Sequence, residues 1–327
     1  MGARQPWACP AAGPWLAFVL RTRHIVPPMA DLELSGTYTA LATPFTADGS
    51  AIDWASWEKL VQSQIDGGVA GVVPCGTTGE SATLSDAEDR ELVTRTVAQA
   101  RGKIKVVAGT GTNSTAHTIE LTRQAFSAGA DATMLVMPYY NKPSQEGLLR
   151  HVTLVAQAVP GPLILYNIPA RTVVELSVDT LLRILDLCPN VVALKDASGN
   201  VLYCQELVTQ ARDRVTVLSG DDPLTLPLMS VGAKGVISVT SNVYPRAVSE
   251  LVERALRGDL EGARERQLAL WAVNRALFSE PSPAPVKAAL AARGVFSQRV
   301  LRPPLVEASP TCRARLAEVM AAYEARA

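Results

Sequence analysis

The sequence predicts a (β/α)8 TIM barrel with a C-terminal helical extension, because one unit recurs eight times from Gly36 onward. Each unit consists of a short apolar, often β-branched run, a turn rich in Gly, Thr, Ser or Pro, and an apolar pattern of helical period. Strict alternation of eight strands with eight helices favours a closed parallel barrel, whose usual size matches this stretch. An open doubly wound sheet is the alternative, although it normally has fewer strands and a phosphate- or nucleotide-binding loop.

The predicted elements follow one another in order along the chain. The strands are predicted at Tyr38–Leu41, Gly71–Val73, Lys105–Ala108, Ala132–Val136, Leu163–Tyr166, Val191–Leu194, Val215–Leu218 and Gly235–Ser238. The helices that follow them are predicted at Trp54–Ile65, Asp86–Ala100, Thr115–Ala128, Gln145–Ala158, Val178–Leu187, Val201–Ala211, Pro223–Val231 and Pro245–Arg257. Apolar runs without alternation indicate strands that are covered on both faces, as in this barrel.

The two ends of the chain differ from the repeating part. Residues 1–28 combine tryptophans and prolines without a sustained period, so we expect a disordered extension. Upstream translation or a mis-called start explains it best, and a degenerate targeting peptide is second. We assign residues 29–257 to the barrel. Residues 258–327 are predicted to form helices that cap or flank it, at Leu260–Phe278, Pro285–Ala292 and Ala314–Glu324.

Composition limits the classes of function. The chain has 31 basic and 31 acidic residues, so nothing points to nucleic acid or an anionic membrane, and we expect a small substrate. The five cysteines are scattered without C-x-x-C spacing, which predicts neither disulfides nor zinc and favours a reducing cytoplasm. The three histidines share no metal-ligand spacing and the sequence has no G-x-G-x-x-G or Walker loop, so we predict no metal and no cofactor.

Lys195 is the first candidate for chemistry. It follows the apolar run Val191–Leu194, and the carboxyl ends of barrel strands form the face where ligands bind. Partial burial at this place would lower the pKa of the amine and leave it neutral, as Schiff-base chemistry requires. A lysine that reaches solvent or pairs with Asp196 is the other interpretation of this segment alone.

Two further strand ends carry turns of possible function. Gly76-Thr-Thr-Gly79 follows the second strand, where inward N–H groups and two hydroxyls would bind a carboxylate and relay a proton. An ordinary loop is the other explanation for this weak motif. Ser219-Gly-Asp-Asp222 follows the seventh strand and by itself indicates only the N-cap of a helix.

Tyrosines and an arginine follow the fourth and fifth strands. The pair Tyr139-Tyr140 could belong to a site, to loop packing or to a subunit contact. Tyr166 offers a phenol that can act as acid and base, and Arg171 offers the planar fork that holds carboxylates. A core tyrosine and a surface arginine are the structural alternatives.

Taken together, these stretches resemble the dihydrodipicolinate synthase and N-acetylneuraminate lyase family of class I aldolases over about Leu34 to Leu301. The motifs occur in the family's order and at nearly its spacing. They are Gly76–Glu80, Tyr139-Tyr140, Tyr166 with Arg171, Val192–Ser198, Ser219–Asp222 and Gly235–Val239, and Glu280–Lys287 is similar to the family's proline-rich entry to a C-terminal helix.

The resemblance implies a role for each candidate residue. By this match Lys195 is the Schiff-base lysine, and Tyr166 and Thr77 are the proton-relay residues. Thr78 and Arg171 match carboxylate-binding positions. Gly220 and Ile237 match positions that line the pocket. Tyr140 matches a tyrosine that the family inserts across a tight dimer interface. The resemblance therefore implies a homo-oligomer, a dimer of dimers, in which a neighbouring subunit completes each site.

The reaction implied by the resemblance is the condensation of pyruvate with aspartate semialdehyde to 4-hydroxy-tetrahydrodipicolinate, in lysine and diaminopimelate biosynthesis. Two alternatives stay open. One is another pyruvate-dependent 2-oxo acid aldolase or dehydratase acting on sugar acids, which need not keep Arg171. The other is a barrel without catalysis that serves as a binding module. One residue departs from the family, because Val173 stands where a glycine usually follows Arg-Thr, so the local turn could differ.

The resemblance also bears on regulation. Lysine-inhibited members bind lysine with residues that correspond here to Ser81, Ala82, Asn113 and Tyr139. The glutamate that pairs with the ammonium group of lysine is replaced by His117, and the usual helix histidine is replaced by Asp89. Since the pairing carboxylate is missing, we expect lysine to inhibit this protein weakly or not at all.

Overall fold

The protein is a closed barrel of eight parallel strands, as seen in a computed structural model that describes residues 34–159 and 161–326. The strands pair in chain order, and the eighth pairs with the first. Their bounds are β1 Gly36–Ala40, β2 Gly71–Val73, β3 Lys105–Gly109, β4 Ala132–Val136, β5 Leu163–Asn167, β6 Val191–Asp196, β7 Thr216–Ser219 and β8 Gly235–Ser238. The predicted barrel is confirmed. The predicted extension, residues 1–28, lies outside the described residues.

A helix follows each strand, and these helices are α1 Trp54–Asp66, α2 Asp86–Ala100, α3 Thr115–Ser127, α4 Gln145–Ala158, α5 Val178–Leu187, α6 Val201–Ala211, α7 Thr225–Ser230 and α8 Pro245–Leu256. Helix α2 begins where the sequence predicts because Ser85 and Glu88 form a capping box. Helix α7 is shorter than predicted, since a separate 3₁₀ turn occupies Asp222–Leu224 before it. A single helical turn, Pro169–Thr172, lies between β5 and α5.

Side chains along strand β6 alternate between the inside and the outside of the barrel. Ala193 belongs to the apolar layer inside the barrel, and Leu194 packs in the core between the sheet and the helices. Because side chains alternate along a strand, Lys195 points to the same side as Ala193, into the barrel.

Strands β5, β6 and β7 extend beyond their predicted ends into the polar residues Asn167, Lys195, Asp196 and Ser219. The ladder pairs Asn167 with Asp196 and Asp196 with Ser219. An apolar run fixes the predicted end of a strand, whereas hydrogen bonding continues through polar residues. Lys195 is therefore held by a strand rather than by a loop, which makes its position more precise.

The C-terminal helices are α9 Leu260–Ala269, α10 Trp271–Leu277, α11 Ala284–Ala292 and α12 Pro310–Glu324. The prediction of a single helix over Leu260–Phe278 is wrong, because the helix is interrupted at Leu270, where ψ is −8°. Leu270 is buried against Val248, Leu251 and Val252, and this packing accompanies the bend between α9 and α10. In the described part of the chain, no helix is long and apolar enough to cross a membrane.

Candidate active site

Lys195 occupies the top of the barrel beside Tyr166. The two residues are paired across β5 and β6, and Lys195 Nζ lies 4.0 Å from the centre of the Tyr166 ring. Burial lowers the pKa of Lys195 to about 7, against the opposing influence of the Asp222 carboxylate and with a smaller lowering by Arg171. A large share of this amine is therefore neutral near pH 7, and a neutral amine can attack a carbonyl carbon.

Tyr166 is a protonated phenol linked to the turn after β2. Burial raises its pKa to about 12, although the charge of Arg171 and a hydrogen bond with the Thr77 side chain act in the opposite direction. A phenol with this pKa keeps its proton at neutral pH and can both donate and accept a hydrogen bond. The Tyr166–Thr77 pair can therefore pass protons near the Lys195 amine.

The turn Gly76–Glu80 is closed by its own backbone. The N–H groups of Gly79 and Glu80 donate to the carbonyls of Gly76 and Thr77 at 3.0 and 3.1 Å. Thr43 Oγ1 donates to the Gly79 carbonyl at 2.7 Å and ties the turn to the segment after β1. The N–H groups of Gly79 and Glu80 thus already donate hydrogen bonds within the turn. Of the predicted carboxylate-binding groups, those of Thr77 and Thr78 remain available.

Gly220 lies against Lys195, and Ile237 lies in the apolar layer inside the barrel. A Cβ atom at Gly220 would lie 3.1 Å from Lys195 Cε and 2.7 Å from Ala197 Cβ, so only glycine fits without displacement. The Gly220 N–H donates to the Asp196 carbonyl at 2.7 Å. Ile237 is 1% exposed and packs in the same interior layer as Tyr166. The structure therefore places Gly220 against Lys195 and Ile237 in the layer that contains Tyr166, and the pocket-lining role of both residues stays a prediction.

Asp222 is a functional candidate that sequence reasoning missed. Its side chain does not cap a helix but is buried, and it accepts hydrogen bonds from Ser238 Oγ, Val239 N and Thr240 N at 2.5, 2.9 and 3.1 Å. These donors stabilise the carboxylate, although burial still raises its pKa. Its charge favours the protonated form of Lys195. Two consecutive acids at a strand end were the available signal for this role.

Arg171 lies on the single helical turn after β5, and Val173 directly follows that turn. Arg171 is exposed, and its charge acts on both Tyr166 and Lys195. Val173 has φ 62° and ψ 6°, the left-handed conformation that glycine adopts freely, and its N–H donates to the Pro169 carbonyl. The backbone therefore keeps a glycine-like conformation at position 173 despite the valine side chain. The charge of Arg171 still lowers the pKa values of Tyr166 and Lys195.

Tyr140 stands apart from the residues around Lys195. Its side chain is 89% exposed, its φ is 74°, and the neighbouring Asn141 is fixed by a hydrogen bond from Nδ2 to the Asn113 carbonyl at 2.9 Å. Within one chain, Tyr140 is thus presented to solvent rather than buried in the pocket. Among the described residues, no group of three or more His, Cys, Asp or Glu side chains is arranged to hold a metal ion.

Comparison with known proteins gives consistent matches over nearly the whole described chain. The family model of the "Dihydrodipicolinate synthetase family" matches residues 33–323. A 4-hydroxy-tetrahydrodipicolinate synthase from Sorangium cellulosum is 58% identical over 298 residues, which cover 91% of this chain and 99% of that protein.

Solved structures of similar proteins share the fold. The 4-hydroxy-tetrahydrodipicolinate synthase of Methylacidiphilum fumariolicum SolV is 44% identical with a TM-score of 0.88, and the match covers 90% of this chain and 97% of that one. A structure described as the first monomeric dihydrodipicolinate synthase variant is 40% identical with a TM-score of 0.86, covering 89% and 97% of the two chains.

Proposed function

The chain belongs to the dihydrodipicolinate synthetase family, and we propose that Lys195 is the residue through which it joins pyruvate to aspartate semialdehyde. The protein is a lyase of the 4-hydroxy-tetrahydrodipicolinate synthase type. One observation carries the residue assignment. The Lys195 amine is buried with a pKa lowered to about 7 and lies against Tyr166, which itself bonds to Thr77.

The proposed chemistry begins with the neutral amine. Lys195 Nζ attacks the keto carbon of pyruvate to form a carbinolamine, which loses water to give a protonated imine. The imine withdraws electrons, so a methyl proton leaves and an enamine forms. The enamine carbon attacks the aldehyde carbon of aspartate semialdehyde and forms the new C–C bond. The amino group of that partner then displaces Lys195, which closes the ring and frees the enzyme.

The surrounding residues divide the remaining tasks. Tyr166 and Thr77 would move protons during carbinolamine formation and dehydration, because they are hydrogen-bonded beside the amine. Thr78 would bind the pyruvate carboxylate, and Arg171 would hold the carboxylate of the aldehyde partner by a charge-assisted contact. Gly220 leaves room for the Lys195 side chain.

We further propose that the protein works as a homo-oligomer in the cytoplasm, as a dimer of dimers in which Tyr140 enters a neighbouring site. The support is the exposure of Tyr140, 89%, together with its fixed loop. A tyrosine held outward in this way is suited to a contact between copies. The described cysteines, Cys75, Cys188, Cys204 and Cys312, are buried free thiols, which suits a reducing compartment.

The test is covalent trapping. Pyruvate followed by borohydride should reduce the imine and add a stable pyruvate-derived group to Lys195, which peptide mass spectrometry would locate. Lys287 is the internal control, because it is also buried with a pKa lowered to about 8 but is paired with Glu80 and should stay unmodified. Retained synthase activity without an adduct at Lys195 would refute the assignment.

A substrate panel completes the test. Pyruvate with aspartate semialdehyde should turn over, whereas sugar-acid cleavage should be slow, since Arg171 is present to bind the smaller carboxylate partner. Faster sugar-acid cleavage would favour the aldolase or dehydratase alternative, and no turnover of either substrate would favour a binding module.

A further inference from the structure

The turn that carries Thr77 and Thr78 is fastened to the C-terminal segment through its last residue, Glu80. We propose that the Glu80 cluster, made of Glu80, Lys287, Arg302 and Phe45, is a positioning device that fixes this turn for pyruvate binding. The inference rests on the proposed function of the turn. It assigns a positioning task to Lys287 and Arg302, which lie outside the barrel.

The contacts of the Glu80 carboxylate define the cluster. Lys287 Nζ donates to Glu80 Oε1 at 2.6 Å, and the Arg302 N–H donates to Glu80 Oε2 at 3.0 Å. The side chains of Glu80 and Lys287 are both 0% exposed. Each carboxylate oxygen therefore has a donor at a fixed place, one from α11 and one from the segment that follows it.

Phe45 and Arg302 extend the cluster to neighbouring loops. Lys287 Nζ and Arg302 Cζ lie 4.2 and 4.3 Å from the centre of the Phe45 ring. The Arg302 guanidinium donates to the carbonyls of Gly49 and Thr83, each at 2.9 Å, and to both oxygens of Glu88. The segment after β1, the turn after β2 and the start of α2 are thus all held by one C-terminal arginine.

The cluster reaches the catalytic turn through the backbone. The Glu80 N–H donates to the Thr77 carbonyl at 3.1 Å, and Glu80 has φ 57°, a left-handed conformation that needs support from its surroundings. The Thr77 side chain in turn bonds to Tyr166. A shift of Glu80 would consequently move the hydroxyl groups that face pyruvate, while Arg171 lies on another loop.

Stability alone does not account for a buried ion pair. Replacing such a pair by uncharged side chains of similar volume is often neutral or stabilising, whereas removing one partner leaves an uncompensated charge and is strongly destabilising. The pair does fix the orientation of the Glu80 carboxylate, because two charge-assisted hydrogen bonds hold it more tightly than apolar contacts would. The expected consequence of losing it is a misplaced turn in a protein that remains folded.

The main test is the double variant Glu80→Gln/Lys287→Met, which removes both charges and keeps the volumes close to the original. We expect it to fold with a melting temperature near that of the native protein. Its KM for pyruvate should rise about ten-fold, equivalent to about 1.4 kcal/mol. Its KM for aspartate semialdehyde should change less than about two-fold. A purely structural role would change stability without this selective effect on pyruvate.

The matched control is Arg299→Met/Glu307→Gln, which removes another ion pair of the same C-terminal segment. Its kinetic constants should equal those of the native protein. If the Glu80→Gln/Lys287→Met protein does not fold, Glu80→Asp serves instead, because it keeps the charge but withdraws the carboxylate by one methylene. This variant should also raise the KM for pyruvate selectively, and restoring Glu80 should reverse the effect.

The outcomes separate the two proposals. A folded variant with an unchanged KM for pyruvate, or with equal changes for both substrates, overturns the positioning role. If native protein forms the borohydride adduct at Lys195 while the variant kinetics do not change, only this inference fails. If native protein forms no adduct at Lys195, the proposed function is refuted, and the positioning role that rests on it is refuted with it.

Discussion

Lys195 Nζ lies 4.0 Å from the centre of the Tyr166 ring, and the two residues are directly paired across β5 and β6. Burial acts on them in opposite directions, because it disfavours the charged form of each group. It lowers the pKa of Lys195 to about 7 and raises the pKa of Tyr166 to about 12. One environment thus prepares an uncharged nucleophile and an uncharged acid in contact with each other at neutral pH.

The first prediction concerns pH. Protonated Lys195 cannot attack pyruvate, so kcat/KM for pyruvate should fall about ten-fold per pH unit below the pKa of about 7. Above that pH the neutral amine predominates, and this limb of the profile should level off. A steady-state profile from about pH 5 to about pH 9 would check it, and a rate that still rises about ten-fold per pH unit at the upper end, as the ordinary lysine pKa of about 10.4 would give, would contradict it.

The second prediction concerns the Asp222 carboxylate, which raises the pKa of Lys195 against the effect of burial. Asp222→Asn should therefore move the acid limb of kcat/KM to lower pH, together with a loss of stability because three donors lose a charged acceptor. Asp221→Asn is the control, since the Asp221 charge acts on Tyr166 rather than on Lys195. An unchanged limb in folded Asp222→Asn protein would argue against this coupling.

Local patterns predicted the barrel well because each strand and helix signal depends on neighbouring residues. Lys195 was found for the same reason, since it directly follows an apolar run. Lys287 was not assigned a role because its partner Glu80 lies 207 positions away in the sequence. The role of Asp222 was missed because only the folded backbone decides which of two adjacent acids turns inward.

The third prediction concerns Val173, a β-branched residue at φ 62° with 65% of its surface exposed. Val173→Gly should relieve the unfavourable left-handed conformation and stabilise the protein by about 1 kcal/mol in denaturant unfolding, after the entropy lost with glycine is deducted. The exposed Val306, which has no positive φ, is the control, and Val306→Gly should not stabilise. Equal effects of both changes would show that Val173 is not strained.

The fourth prediction tests whether Tyr140 acts between subunits. Tyr140→Phe and Lys195→Ala should each have little activity, because each lacks a group that the site uses. Subunit exchange at equal amounts should recover about one quarter of native activity, since half of the dimers are hybrids and each hybrid has one complete site. Exchange that mass spectrometry demonstrates, without any recovery, would mean that Tyr140 does not serve a neighbour.

The last prediction concerns lysine. His117 stands where the resemblance expects a glutamate, and its Nε2 lies 3.2 Å from Asp86 Oδ1. An imidazole in this contact does not supply a carboxylate for the ammonium group of lysine. Asp89 is a poor substitute, because it is partly buried, lines a small pocket with Cys75, and has its pKa raised to about 6 by burial.

The missing charge-assisted hydrogen bond corresponds to about 1.5 to 3 kcal/mol, or roughly ten- to a hundred-fold in affinity. Lysine should therefore inhibit the native protein weakly or not at all in a steady-state assay. His117→Glu should increase its sensitivity to lysine, whereas His117→Gln, which restores length without charge, should not. Strong inhibition of the native protein at sub-millimolar lysine would show that another group, and not the residue at position 117, binds the ammonium.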